Sequence, residues 1–286
     1  MATGMAPWVE GLTIGETLRR TAAHHPDRDA FVFPRLDPHE RSLSATKSAE
    51  RQDCLRLSYR QFDAAVDRVA KALLGLGIQK GDYIAVWATN WPKWILLQFA
   101  TARIGAVMVL INPAYRTSEL SYVLKQSDAV ALFLVDVFRG SDYFEMVNQA
   151  IPELKGARPG ELRASEFPRL RHVVSMKPTQ SPGMWPWEAF VRLGEPVAEA
   201  DLKARETQLA PSDPINVQYT SGTTGFPKGA MLAHRNLLLN AFYVGACQRF
   251  SPSDRICIPV PFYHCFGCVL GTLCCAVNGA AMIVPA

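Results

Sequence analysis

Hydroxyl, glycine and lysine residues are concentrated in one short stretch, YTSGTTGFPKG, which runs from Tyr219 to Gly229. Gly222 and Gly225 allow positive φ angles and a close approach of the backbone, so successive amide hydrogens can point at one anion. Lys228 adds a full positive charge, and further donors come from the hydroxyl groups of Thr220, Ser221, Thr223 and Thr224. The stretch predicts a polyphosphate-binding loop between a strand and a helix, with the N-terminus of that helix pointing towards the loop.

This loop differs from the common P-loop of nucleotide-binding proteins. The pattern G-x-x-x-x-G-K-[ST], started at Gly222, requires a glycine where Pro227 stands and a hydroxyl residue where Gly229 stands. A Walker-type fold is therefore disfavoured. The alternative is an ordinary Ser/Thr/Gly turn between a strand and a helix, which binds no ligand.

The longer stretch YTSGTTGFPKGAMLAHRN resembles the phosphate-loop signature of the adenylate-forming, or AMP-binding, enzymes. This family includes acyl-CoA synthetases, luciferases and peptide-synthetase adenylation domains. The resemblance implies that ATP is bound through its phosphates, which Mg²⁺ bridges, so that charge on the leaving pyrophosphate is stabilised while a carboxylate attacks the α-phosphorus. It assigns no metal-binding side chain and no certain catalytic residue. The implied phosphate-binding residues are Thr220, Ser221, Gly222, Thr223, Thr224, Gly225, Phe226, Pro227, Lys228 and Gly229.

A second stretch, PVPFYHCFGCVLG from Pro259 to Gly271, resembles the segment of these enzymes in which an aromatic or histidine residue lies beside the acyl pocket. His264 is the acyl-pocket candidate, as a wall or gate at the carboxylate end. The alternative is a core histidine that is satisfied by a backbone carbonyl. Proton abstraction by His264 is not needed, because a fatty carboxylate is already ionised at neutral pH.

The stretch INPAYRTSEL, from Ile111 to Leu120, resembles one that is often seen in acyl-CoA synthetases. The three resemblances together imply an ATP-dependent acid–thiol ligase that activates a medium- or long-chain fatty acid as an acyl-adenylate and transfers it to coenzyme A. The partners would be the acid, ATP with Mg²⁺, and coenzyme A. Two alternatives stay open: a ligase for an aryl or other carboxylic acid, and a non-catalytic nucleotide-binding fragment.

The resemblance covers nearly the whole chain but only about the first half of a typical family member. The adenine-contacting motif, the acidic ribose contact, the hinge and the C-terminal lid with its lysine have no counterpart in the sequence. We expect residues 1–286 to be an incomplete N-terminal AMP-binding domain without the lid domain. Because positioning supplies much of the rate in such reactions, we expect weak ATP binding and no turnover from this chain alone.

Strand and helix patterns alternate along the chain, which predicts an α/β fold with mostly parallel sheets covered by helices. Strands are expected at Tyr83–Trp87 and Ala129–Val135, and Asn90 is expected to cap the helix between Trp87 and Gly105. A polar insert at Asp37–Asp53 is expected to be a loop. The region from Pro152 to Pro214 is expected to be a connector with one short strand at His172–Met176, and helices are expected after Ser58 and around Asn236–Val244.

Composition limits the class of partner. The chain has 286 residues, 49% of them hydrophobic, and a formal net charge of only +4, which does not favour a nucleic-acid surface. Six of the seven cysteines follow Gly245, mostly in apolar runs, as reduced buried cysteines do. The CxxC of Cys265 and Cys268 has an apolar setting that is poor for zinc. Together with the absence of a signal-peptide pattern, this predicts a cytoplasmic setting.

The segment from Ile256 to Ala286 contains no Asp, Glu, Lys or Arg. Its length alone would permit a membrane-spanning helix. Prolines, glycines, His264 and Asn278 divide it into pieces of strand and helix length, so we expect a buried strand–helix–strand unit and no transmembrane span. A membrane-associated protein anchored by this segment is the alternative.

Overall fold

The computed structural model describes residues 7–33, 54–179, 181–220 and 227–285. The chain divides into two compact units. The first comprises Met1–Asp67, Leu209–Asp213 and Ala233–Ala286, and the second comprises Arg68–Gln208 and Pro214–Leu232. The predicted insert at Asp37–Asp53 lies outside the described residues.

The helices and strands follow one another in the alternating order that the sequence predicts. The α-helices are α1 (Ile14–His24), α2 (Tyr59–Gly75), α3 (Pro92–Ile104), α4 (Thr117–Ser127), α5 (Tyr143–Ala150), α6 (Trp187–Arg192), α7 (Glu199–Glu206), α8 (His234–Gln248) and α9 (Cys274–Asn278). A 3₁₀ helix spans Pro152–Gly156 and a π-helix spans Phe266–Leu273. The strands are β1 (Asp29–Phe33), β2 (Leu55–Ser58), β3 (Tyr83–Trp87), β4 (Val107–Leu110), β5 (Ala131–Leu134), β6 (Val137–Phe138), β7 (Ser141–Asp142), β8 (His172–Ser175), β9 (Trp185–Pro186), β10 (Pro214–Thr220), β11 (Lys228–Ala233), β12 (Arg255–Cys257) and β13 (Ala281–Ile283).

The second unit is built on a sheet whose described strands have the order β11-β10-β4-β3-β5-β8-β9. Strand β4 is paired in parallel with β3 and β10, and β5 is paired in parallel with β3 and β8. Every residue of β4 and β5 is buried, which explains their continuous apolar sequences, because helices cover both faces of such sheets. The predicted parallel, helix-covered sheet is confirmed.

Helix α3 crosses from β3 to β4 and all of its residues are buried. Pro92 stands at its start, where a missing N–H costs nothing, and Gly105 ends it in the left-handed conformation with φ 75°. The predicted cap at Asn90 was wrong, because Trp91 holds the cap position and makes no side-chain cap bond. The buried ammonium of Lys93 is satisfied by the Met176 carbonyl oxygen at 2.7 Å.

Regular structure between Pro152 and Pro214 is more extensive than the single strand expected there. The predicted strand is present as β8, paired with β5, and the region also holds the 3₁₀ helix, β9, α6 and α7. These extra elements are short, and helices and strands of that length leave no clear apolar period in the sequence.

The first unit contains a smaller sheet whose described strands have the order β12-β13-β1-β2. Strand β13 is paired in parallel with β1 and β12, whereas β1 and β2 are antiparallel. Helix α1 begins with a capping box, in which Thr13 and Glu16 accept each other's backbone N–H groups. The Tyr59 hydroxyl lies 2.7 Å from the Ala280 carbonyl oxygen and fixes the chain just before β13.

The uncharged segment after Ile256 folds into the end of β12, the π-helix, α9 and β13. Most of the π-helix and the first four residues of α9 are buried. Among the described residues, no helix has both the length and the apolar character needed to cross a membrane.

Substitution of Gly194 by alanine tests the packing of the second unit. A Cβ at this buried position would lie 2.6 Å from the Ala72 backbone nitrogen and 2.9 Å from the Lys71 carbonyl carbon. These are backbone atoms, so Gly194→Ala is expected to destabilise the protein by about 1–3 kcal/mol. Urea unfolding followed by circular dichroism measures this.

Gly156→Ala is the matched control, because a Cβ at Gly156 meets no atom within 4 Å. We expect it to change the free energy of unfolding by less than about 0.5 kcal/mol. Equal destabilisation by the two substitutions would contradict this description of the packing.

Candidate functional site

The predicted phosphate loop leaves the sheet of the second unit at the end of β10 and rejoins it at the start of β11. Strands β10 and β11 are neighbours at one edge of the sheet. Thr220 is the last residue of β10 and Lys228 is the first of β11. Ser221, Gly222, Thr223, Thr224, Gly225 and Phe226 lie outside the described residues, so their role stays a prediction.

The loop is followed by a strand, and the prediction that a helix follows it directly was wrong. Lys228–Ala233 forms β11, and α8 begins only at His234. The physical reason is that β10 offers a sheet edge whose backbone groups can pair with the chain after the loop. Gly229, a poor helix former, weakens the competing local preference. The helix predicted around Asn236–Val244 itself is present as α8.

The structure brings the two ends of the predicted loop together. The Thr220 hydroxyl donates to the Lys228 carbonyl oxygen at 3.4 Å. Thr220, Lys228 and Gly229 are all exposed, and Pro227 is half-buried. The exposed Lys228 at this strand end leaves a cation accessible to an anionic ligand.

Gly229 is required by the close approach of β10. A Cβ at this position would lie 2.8 Å from Val217 Cγ1 and 3.4 Å from Tyr219 Cζ. Burial raises the pKa of Tyr219 to about 12, and the neighbouring hydroxyls of Tyr122, Tyr115 and Tyr83 add to the effect. Tyr219 therefore stays neutral at physiological pH, and tyrosine side chains from other elements lie near it.

Sequence reasoning missed these tyrosines. The Tyr122 hydroxyl donates to the Pro227 carbonyl oxygen at 3.1 Å across a separation of 105 residues, and Tyr83 donates to Met231 Sδ at 3.5 Å. No spacing within one element signals a contact of this kind, since it depends on how β3, α4 and β11 are brought together.

His264 belongs to the first unit and is exposed, which contradicts the alternative of a core histidine. Its Nδ1 atom accepts from the Phe266 backbone N–H at 3.3 Å, so the ring proton is placed on Nε2. The π-helix begins two residues later, and a Cβ at Gly267 would lie 2.9 Å from Phe262 Cα. Short π-helical stretches are frequent at functional sites. The acyl-pocket role of His264 stays a proposal.

The donor set of the loop fits a polyphosphate better than a bare metal ion. Its side chains are hydroxyls and a lysine, whereas Mg²⁺ prefers carboxylate, carbonyl and water oxygens. Within the described ranges, no group of three or more His, Cys, Asp or Glu residues could hold a metal.

Comparison with known proteins gives the family. A sequence model described as "AMP-binding enzyme" matches residues 18–286. The chain belongs to the AMP-binding enzyme family. Sequence relatives are named acyl-CoA synthetases or ligases, and the shared family supports an enzymatic ancestry for the chain.

Two relatives illustrate the match to this family. The "Putative acyl-CoA synthetase YngI" of Bacillus subtilis is 46% identical over 95% of this chain and 46% of the relative. The mitochondrial medium-chain acyl-CoA ligase ACSF2 of Homo sapiens is 36% identical over 95% of this chain and 42% of the relative. The chain thus spans less than half the length of these curated relatives.

Solved structures confirm the fold. The N-terminal domain of FACL13 from Mycobacterium tuberculosis superposes with a TM-score of 0.68 at 22% identity, over 96% of this chain and 57% of that one. The anthranilate CoA ligase AuaEII, in complex with anthranoyl-AMP, gives 0.73 at 20% identity over 96% of this chain and 45% of that one. At such identities the likeness shows the α/β fold of the AMP-binding family and nothing about substrate.

The cysteines near His264 differ sharply in exposure. Cys265 is exposed, whereas Cys268, Cys274 and Cys275 are buried. Burial raises the pKa of Cys274 to about 11 and raises that of Cys275 well above its usual range. The two buried thiols therefore stay protonated at neutral pH, which fits neither a nucleophile nor a zinc ligand.

Thiol labelling tests this assignment. At pH 8, Ellman's reagent is expected to modify Cys265 and the other exposed cysteines, Cys247 and Cys257, at least about tenfold faster than Cys274 and Cys275. Peptide mass mapping identifies the modified residues, and unfolding in guanidinium provides the control because it should make all cysteines equally reactive. Rapid labelling of Cys274 or Cys275 in the folded protein would contradict their assignment as buried, protonated thiols.

Proposed function

We propose that the protein is an ATP-dependent acid–thiol ligase that activates a fatty acid and transfers it to coenzyme A. The observation that carries the proposal is the placement of Thr220 and Lys228 together at an exposed sheet edge, in a chain of the AMP-binding enzyme family. Parallel α/β sheets bind ligands outside the carboxyl ends of their strands, which is where β10 ends.

The proposed reaction has two displacements. A carboxylate oxygen attacks the α-phosphorus of ATP, and the bond to the β-phosphate breaks, which gives acyl-adenylate and pyrophosphate. The coenzyme A thiol then attacks the acyl carbon, so that AMP leaves and the thiol proton is lost to solvent. The role of the loop residues Thr220–Gly229 is to hold the β- and γ-phosphates and to stabilise the charge that grows on pyrophosphate. Magnesium, bound with ATP, neutralises part of the same charge.

The proposed acid is a fatty acid of medium to long chain. Support comes from the names of the sequence relatives, among them the medium-chain acyl-CoA ligase ACSF2 of Danio rerio, 34% identical to this chain over 97% of its length and 43% of the relative. We propose that His264 is an acyl-pocket residue, since an exposed imidazole with its proton on Nε2 can donate to a carboxylate oxygen. The cytoplasm is the proposed compartment, since the cysteines of the chain are free thiols.

Nucleotide binding without catalysis is the second candidate for this chain. It requires only an accessible cation at the sheet edge, which Lys228 provides. An aryl acid as substrate has weaker support, because the aryl-acid ligase among the solved structures shares only the fold.

Acid-dependent exchange of labelled pyrophosphate into ATP tests the proposed function. In the protein that carries this chain, we expect exchange with octanoate and little with anthranilate. Lys228→Gln removes one charged contact to the phosphates and is expected to lower the exchange rate about 10- to 100-fold.

Lys203→Gln is the matched control, because Lys203 is an exposed lysine on α7, within the second unit. It removes the same charge and is expected to leave the exchange rate unchanged. Exchange that survives Lys228→Gln would remove Lys228 from the phosphate site. Exchange that prefers anthranilate would replace the fatty acid by an aryl acid, and ATP binding without exchange would favour the non-catalytic candidate.

A further inference from the structure

Strand β11 is contacted by tyrosines from three other elements. Tyr122 of α4 reaches the Pro227 carbonyl oxygen immediately before the strand, at 3.1 Å. Tyr219 of β10 lies against Gly229, and Tyr83 of β3 donates to Met231 at 3.5 Å. Gly229 and Met231 are two residues apart and therefore share one face of the strand. Two of the three contacts therefore lie on one face of β11, at Gly229 and Met231. The third is made to Pro227, the residue immediately before the strand.

The Tyr122 hydroxyl group has a second hydrogen-bond partner that orients it. Gln126, four residues later on α4, donates its Nε2–H to the Tyr122 hydroxyl oxygen at 3.0 Å. The hydroxyl oxygen accepts from Gln126, which leaves its own hydrogen for the Pro227 carbonyl. Proline has no N–H group, so the carbonyl is the only backbone hydrogen-bonding group by which Pro227 can be held.

Pro227 stands directly before the two described residues with predicted phosphate contacts at the start of β11, Lys228 and Gly229. Both are exposed, so side-chain packing against neighbours restrains them little. A hydrogen bond to the preceding carbonyl restrains the peptide unit that leads into Lys228. That restraint lowers the entropy that would be lost when the residues are ordered around a ligand.

We propose that Tyr122, oriented by Gln126, is a positioning residue that fixes the start of β11 so that Lys228 and Gly229 meet the phosphates of the ligand. The proposal rests on the proposed function, in which Lys228 contacts the β- and γ-phosphates. Tyr122 itself does not touch the ligand in this scheme. Its effect passes through the Pro227 carbonyl.

Tyr122→Phe tests the proposal, because it removes the hydroxyl and keeps the ring. Loss of one neutral hydrogen bond corresponds to about a fivefold change in an equilibrium constant. We therefore expect magnesium pyrophosphate to bind this chain about fivefold more weakly in Tyr122→Phe than in the unaltered chain, as measured by isothermal titration calorimetry. Hydrogen–deuterium exchange of the Lys228 and Gly229 amides, resolved by NMR, should become several-fold faster without ligand.

Tyr83→Phe is the matched control. It removes a hydroxyl from the same face of β11, but at Met231 rather than beside Lys228. We expect pyrophosphate affinity and exchange at Lys228 and Gly229 to stay as in the unaltered chain. A peptide from β5 in the centre of the sheet reports global opening and should be unchanged in both variants.

The outcomes separate the positioning role from the proposed function. If the unaltered chain binds no pyrophosphate, the proposed function loses its basis in this chain, while the exchange experiment still decides whether Tyr122 holds β11. Pyrophosphate affinity that is equal in Tyr122→Phe and the unaltered chain would overturn the positioning role. Faster exchange of the β5 peptide in Tyr122→Phe would also overturn the positioning role, because Tyr122 would then stabilise the whole fold.

Discussion

The parallel pairing of β10 with β4 is the interaction on which the candidate site depends. It aligns Asn216 with Met108, Val217 with Val109 and Gln218 with Leu110, across about one hundred residues of sequence. Strand β4 (Val107–Leu110) is wholly buried, so β10 is paired with a strand in the core of the sheet. Because parallel strands end at the same edge of the sheet, this register places Thr220 at the carboxyl edge that binds ligands in α/β folds.

The position of β11 follows from that pairing. A strand added beside β10 needs an open edge, and β10 supplies one on the side away from β4. Its residues from Lys228 to Met231 are exposed, so little apolar burial stabilises them. The strand must therefore be stabilised mainly by hydrogen bonds and by the tyrosine contacts. For this reason the loss of a single polar contact close to Lys228 can change the local stability around that residue.

The fold was largely predictable from the sequence because local patterns and tertiary structure agree over the core. Tyr83–Trp87 was predicted with the bounds that the structure gives it, since an apolar run is bounded there by turn residues. A helix was predicted after Ser58, and at its start Ser58 and Gln61 each accept the other's backbone N–H in a capping box. Such signals need only a few neighbouring residues.

The prediction failed where distant partners decide the structure. Nothing local distinguishes β11 from the start of a helix, and the edge of β10 is provided by residues before the loop. The prediction of Asn90 as the cap was wrong because α3 begins at Pro92, which makes Trp91 the cap residue. The contact from Tyr122 to Pro227 requires the assembled sheet and α4, and no sequence spacing could have indicated it.

Binding of a polyphosphate at the edge formed by β10 and β11 is tested most directly by amide chemical-shift mapping. Magnesium ATP would be titrated into the ¹⁵N-labelled chain. We expect saturable shifts at Thr220, Lys228 and Gly229, with smaller changes at Lys203 on α7. Saturable shifts confined to residues outside β10 and β11, or none at millimolar ATP, would contradict it.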